Sequence, residues 1–115
     1  PIDLEKLDYN EINTVLLNYV INVIKSPYQR VKILENIKKK AKKGTKLMVS
    51  ARGYKSILRQ SRKSDWDRVG DGFITNSGTF QKGFAMEELK TLLSLFGEII
   101  DTKKLSGGRV VIIEL

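Results

Sequence analysis

The chain is 115 residues long and 41% apolar, with 21 Lys and Arg against 13 Asp and Glu, a net charge of +8. That describes one domain with a modest core. The absence of Cys and His excludes disulfides, thiolate metal sites and the common hydrolytic triads, and it leaves zinc only carboxylates, so no metal is expected.

No apolar run reaches the roughly 20 residues that span a bilayer, and no leader pattern opens the sequence, so a cytoplasmic protein without membrane contact is the expectation. Residues 1–11 carry Asp3, Glu5, Asp8 and Glu11 against Lys6 and read as an irregular lead-in. Ile12 to Leu17 is an apolar run interrupted only by Asn13 and Thr14, as in a strand covered on both faces. Ser26-Pro27 then opens a helix, with Ser26 as cap and Pro27 at the first position, where its missing N–H has no partner to lose. Tyr28, Val31, Leu34, Ile37 and Ala41 recur at helical spacing and predict one apolar stripe. Glu35 and Lys39 are placed for a favourable pair, and Gly44 for a left-handed stop.

Thr45 to Ala51 is a second apolar strand, so the order is strand, helix, parallel strand. Tyr54, Ile57 and Leu58 mark a short helix with Lys55, Arg59 and Arg62 on its other side. Residues 64–83, with Gly70, Gly72, Gly78 and Gly83 among polar and aromatic side chains, read as a long loop. Met86, Leu89, Leu92, Leu93 and Phe96 define a third helix. Glu98 to Lys104 and Arg109 to Leu115 are two strands joined across Ser106-Gly107-Gly108, a hairpin signal.

Charge is unevenly spread. Between Lys25 and Lys63 fourteen cations stand against one acid, Glu35. A field of this kind attracts polyanions, although the lysines of the first helix also suit an ordinary solvated face. The candidate nucleic-acid contacts are Lys39, Lys42, Lys43, Arg52, Lys55, Arg59, Arg62, Lys63 and Lys82, with Trp66 as a base-stacking aromatic. Phe73, Phe80 and Phe84 read better as a lid over the core.

The element order and three local sequences carry a resemblance. Leu16-Leu17-Asn18-Tyr19-Val20-Ile21-Asn22-Val23-Ile24 resembles the fourth-strand signature of class I S-adenosylmethionine-dependent methyltransferases. Lys42-Lys43-Gly44-Thr45-Lys46-Leu47-Met48-Val49-Ser50 is similar to their turn before the fifth strand, with Lys43 replacing a proline and Thr45 a glycine. Gly70-Asp71-Gly72-Phe73-Ile74-Thr75, Gly78-Thr79-Phe80-Gln81-Lys82 and Glu87-Glu88-Leu89 together resemble methyltransferases associated with DNA phosphorothioation. The resemblance covers roughly residues 12–115 and enters the family at its fourth strand, without the half that carries the glycine-rich cofactor turn and the ribose-binding carboxylate.

It implies an α/β fold: a partial Rossmann-like sheet of two parallel strands with a crossover helix, then a helix and a C-terminal antiparallel hairpin, all within a single half-domain over residues 1–115. It further implies S-adenosylmethionine as cofactor, and Asn18 and Tyr19 as the positions facing the transferred methyl and its acceptor. A turn amide and a core aromatic are the plainer readings of these two residues. Such a half-domain is expected to be a fragment, or a natural short form, that is not catalytic alone and transfers methyl groups only when completed, with nucleic acid as one acceptor class. The strand at residues 12–17 becomes an edge, and edges pair with other chains, so a homodimer or a sheet-completing partner is expected. The alternatives are a non-enzymatic basic nucleic-acid-binding or regulatory module and a sheet-completing interaction protein.

Overall fold

A computed structural model of the protein describes residues 14–115; the acidic lead-in and the start of the first expected strand lie outside the described residues. The elements are β1 (Thr14–Asn18), a 3-10 turn (Ile21–Val23), α1 (Pro27–Lys40), β2 (Lys46–Arg52), α2 (Tyr54–Lys63), β3 (Asp67–Val69), β4 (Gly72–Ile74), β5 (Phe80–Gln81), α3 (Met86–Ser94), β6 (Glu98–Leu105) and β7 (Gly108–Glu114). The main sheet runs β1-β2-β7-β6. β1 and β2 are parallel and joined through α1, while β7 pairs antiparallel with both β2 and β6. The expected order of parallel pair, crossover helix and closing hairpin is the one observed.

One face of the sheet is buried along β1, β2 and β7. Val15 and Leu17 stand beside Leu47 and Val49, which stand beside Ile113 and Val111. This row meets Leu34 and Ile37 of α1 and Leu89 and Leu93 of α3 in one buried core. The opposite face carries the row Leu16, Met48 and Ile112, with Leu16 49% exposed and the other two half-buried. β1 is therefore covered on one face, not both. It is also the outermost strand, with no strand beyond it among the described residues.

α1 starts as its sequence dictates. The Gln29 N–H donates to Ser26 Oγ at 3.3 Å, and Pro27 occupies the first turn. Its buried stripe is Arg30, Leu34 and Ile37; Tyr28 is turned out and 63% exposed. Glu35 pairs with Lys32 at 3.8 Å rather than with Lys39, and at this exposure the pair contributes little. The helix ends three residues before Gly44, at an extended Ala41. Gly44, with φ +90°, serves instead the turn into β2, where its N–H donates to Leu115 O and Thr45 N–H to Lys42 O.

The expected long loop at 64–83 contains a second, small sheet, β3-β4-β5. Strands of two or three residues are too short to show alternation, and two of the four glycines that suggested a loop sit in its turns: Gly70 and Gly78 have φ of +57° and +85°, whereas Gly72 lies within β4. The small sheet is tied to the core by charge. Arg30 is only 4% exposed; it donates to both carboxylate oxygens of Asp71, at 2.5 and 2.8 Å, and to the carbonyls of Ile24 and Lys25. Its guanidinium lies 5.7 and 5.9 Å from the ring centres of Phe80 and Phe84. Both rings are buried, and Phe84 is part of the core itself, while Phe73 is half-buried. The hydrogen bonds from Arg30 hold the Asp71 carboxyl below the ordinary carboxylate range, against the opposing pull of partial burial.

Candidate functional site

The carboxyl ends of β1 and β2 bring the two expected site residues together with two others. Asn18 closes β1 opposite Ser50, whose hydroxyl donates to Asn18 Oδ1 at 3.0 Å. Tyr19 turns the chain sharply, with φ +57° and its N–H donating to Ser50 O at 2.8 Å. A non-glycine residue in this region costs about 1 kcal/mol, and such conformations concentrate at functional sites. The bend sends the phenol across the sheet to β7: a Cβ placed on Gly108 would lie 2.9 Å from Tyr19 Oη. Asn18, Tyr19, Ser50 and Gly108 thus form one patch, with Tyr19 43% exposed. Tyr19 is a projecting surface aromatic, not a core one.

This patch can orient a ligand through an amide and a phenol, but it offers no strong base. Nothing here cradles a nucleoside. Among the described residues, neither the turn after β1 nor that after β2 holds a glycine-rich run or a carboxylate. The residues present therefore do not fit a nucleoside cofactor: the patch offers the Asn18 amide, the Tyr19 phenol and the Ser50 hydroxyl, with no carboxylate for ribose hydroxyls. One buried acceptor is unused: Asn22 is 2% exposed and donates to Gln81 Oε1 at 3.1 Å, while its own Oδ1 has no partner.

The basic residues do not form one field. Lys39, Lys42 and Lys43 lie at the amino end of β2, and Arg52, Lys55, Arg59, Arg62 and Lys63 at its carboxyl end. The seven residues of β2 span about 20 Å. Lys82 is not a surface contact at all. It is 5% exposed and sits 2.9 Å from a Glu88 carboxylate oxygen, with its ammonium 4.6 Å from the Phe84 ring centre. Trp66 is half-buried in the turn after α2.

Two cations that the sequence reading missed complete the carboxyl-end group. Lys104 and Arg109 face each other beside the β6–β7 turn. With Lys55, Ser56, Arg59 and Ser106 they line a depression of about 390 Å³. Only the docking of the hairpin against α2, through Gly53 N–H to Gly107 O at 3.0 Å, reveals them.

No protein-family model and no curated protein matches the chain. Solved structures do. A SAM-dependent methyltransferase from Methanosarcina mazei is 19% identical with a TM-score of 0.72, covering 95% of this chain and 61% of that one. A S-adenosylmethionine-dependent methyltransferase from Clostridium acetobutylicum is 12% identical with a TM-score of 0.67, covering 99% and 63%. PigF with SAH is 14% identical with a TM-score of 0.58, covering 89% and 30%. The chain has part of the Rossmann-like fold of these methyltransferases and spans about three fifths of the length of the first two. No helix among the described residues is long and apolar enough to cross a membrane.

Proposed function

We propose that this chain is the acceptor-side half of a class I S-adenosylmethionine-dependent methyltransferase of the kind associated with DNA phosphorothioation, not catalytic without the strands that complete its sheet. The observation that carries this reading is β1: an outermost strand whose second face leaves Leu16 half exposed in a row with Met48 and Ile112. The fold neighbours support it, since they extend well beyond the part this chain covers. The phosphorothioation link rests on the sequences around Gly70 to Lys82 and Glu87 to Leu89. In the completed enzyme Asn18 and Tyr19 face the acceptor and the methyl donor, and the nucleoside is held by residues of the completing half.

In isolation a second copy is expected to take the open place beside β1. The informative substitution is Leu16→Glu rather than a change at Val15, because Val15 is buried in the core. Leu16→Glu is expected to shift light scattering from dimer to monomer while changing folding stability by less than about 0.5 kcal/mol, as surface substitutions do. A wild-type chain that stays monomeric at high concentration would remove the edge-pairing argument. Calorimetric titration of the monomer with S-adenosylmethionine is expected to give no saturable heat. Micromolar binding by the monomer would overturn the half-site reading.

A further inference from the structure

We propose that the surface formed by α2 and the tip of the β6–β7 hairpin binds the phosphate backbone of a nucleic acid. Lys55, Arg59 and Lys63 fall one turn apart on α2, a row of cations with a step of about 6 Å, and Arg62 flanks it. Lys104 and Arg109 share one depression with Lys55 and Arg59, reaching it from the hairpin. Among the described residues no acid pairs with Lys55, Arg59, Arg62, Lys63 or Lys104. Arg109 is fixed by donating to the carbonyls of Leu105 and Gly108 at 3.2 and 2.7 Å, so its charge is held at the wall. Cations at this spacing repel one another, and a polyanion relieves that repulsion by shedding its own condensed counterions.

The lining favours phosphate over an acidic protein segment. Around the cations are the hydroxyls of Ser56 and Ser106 and little apolar surface beyond Leu105. Hydroxyls, Arg and Lys are the groups that contact phosphate oxygens, whereas a peptide site needs apolar anchors in pockets. The surface also adjoins the Asn18–Tyr19 patch, because Gly107 lies beside Ser56 of α2 and the next residue, Gly108, lies beside the Tyr19 phenol. That the bound polymer is also the methyl acceptor rests on the reading above; the binding does not.

The test is fluorescence anisotropy of the full chain with a labelled DNA duplex and a labelled single strand across a salt series, with no methyl donor present. Lys55→Glu/Arg59→Glu/Lys104→Glu is expected to weaken binding about 100-fold at moderate salt and to flatten the salt slope by about 2 to 3. Lys39→Glu/Lys42→Glu/Lys43→Glu, an equal charge change at the other end of β2, is expected to leave affinity within about threefold, since these side chains lie beyond a Debye length from the site. Equal losses in the two triple variants, or none in the first, would overturn the assignment. So would displacement of the DNA by polyglutamate as readily as by unlabelled DNA, which would assign the surface to an acidic protein. Failure of cofactor binding leaves this result untouched, and its own failure leaves the methyl-transfer reading untouched.

Discussion

Asp71→Ala is expected to destabilise the fold by about 2 kcal/mol, lowering the melting temperature by roughly 10 °C. The cost falls on Arg30, which keeps its bonds to the Ile24 and Lys25 carbonyls but loses its ion-pair partner among the described residues while remaining buried. Removing one member of a buried ion pair costs about 3 to 5 kcal/mol. Asp71 is 37% exposed, so water can replace part of what it supplied, and the smaller figure follows. The double variant Arg30→Met/Asp71→Ala is expected to be more stable than Asp71→Ala alone, because no uncompensated guanidinium remains. If the double variant loses the sum of the two single losses, the pair is not coupled and the argument fails.

The same contact fixes a direction in pH. The Asp71 carboxyl lies below its ordinary range in the folded state, chiefly through the Arg30 hydrogen bonds. A group with a depressed folded pKa contributes stability that is complete above its unfolded value, about 4, and is lost as pH falls through the folded value. The stability difference between the wild type and Asp71→Asn is therefore expected to be constant near neutrality and to shrink below about pH 4. Urea midpoints measured on both chains along that range provide the check.

Gly83→Ala is expected to be of comparable or larger effect, about 2 to 3 kcal/mol, for reasons of space alone. A Cβ there would come to 2.6 Å from Tyr54 Cα, 2.8 Å from Gly53 O and 3.0 Å from Ile57 Cβ. None of these can yield cheaply, for Gly53 and Tyr54 start α2 and Ile57 is buried. The strap through Gly83 is itself pinned, since Phe84 N–H donates to Arg52 O at 2.8 Å and Tyr54 N–H to Phe84 O at 3.1 Å. Gly44→Ala makes the contrast. Its φ of +90° is strained for alanine, but nothing lies within 4 Å of the new methyl, so about 1 kcal/mol is expected. Chemical denaturation of the two variants side by side distinguishes crowding from backbone strain. A Gly83→Ala chain as stable as Gly44→Ala would contradict the packing described at the start of α2.

Local grammar made much of the fold legible. Ser26-Pro27 set the start of α1, an apolar run set β2, and the glycine pair beside Ser106 set the hairpin of β6 and β7. What sequence could not convey was distance. Lys43 and Arg52 are close neighbours in the chain but are held apart by a strand, whereas Arg59 and Lys104 are far apart in the chain and share a depression. Arg30 and Lys82 look like surface cations by composition. Their burial depends on Asp71 and Glu88, partners that only the folded small sheet and α3 bring within reach. The strain at Tyr19 has no sequence signature either, because an aromatic residue gives no hint of a left-handed backbone.

The strand order has a consequence in time. β2 lies in the middle of the sheet, yet its antiparallel neighbour is β7, with Lys46 opposite Glu114, so the central seam joins segments more than half the described length apart. Within the main sheet, only the β6–β7 hairpin closes over a short turn. Such long-range pairing must overcome loop-closure entropy before any contact rewards it, and it slows folding. During synthesis β1, α1 and β2 emerge and wait with Leu47, Met48 and Val49 unpaired on one side until β7 follows. That interval, rather than the finished molecule, is when the chain is most open to capture by a chaperone or by another nascent strand.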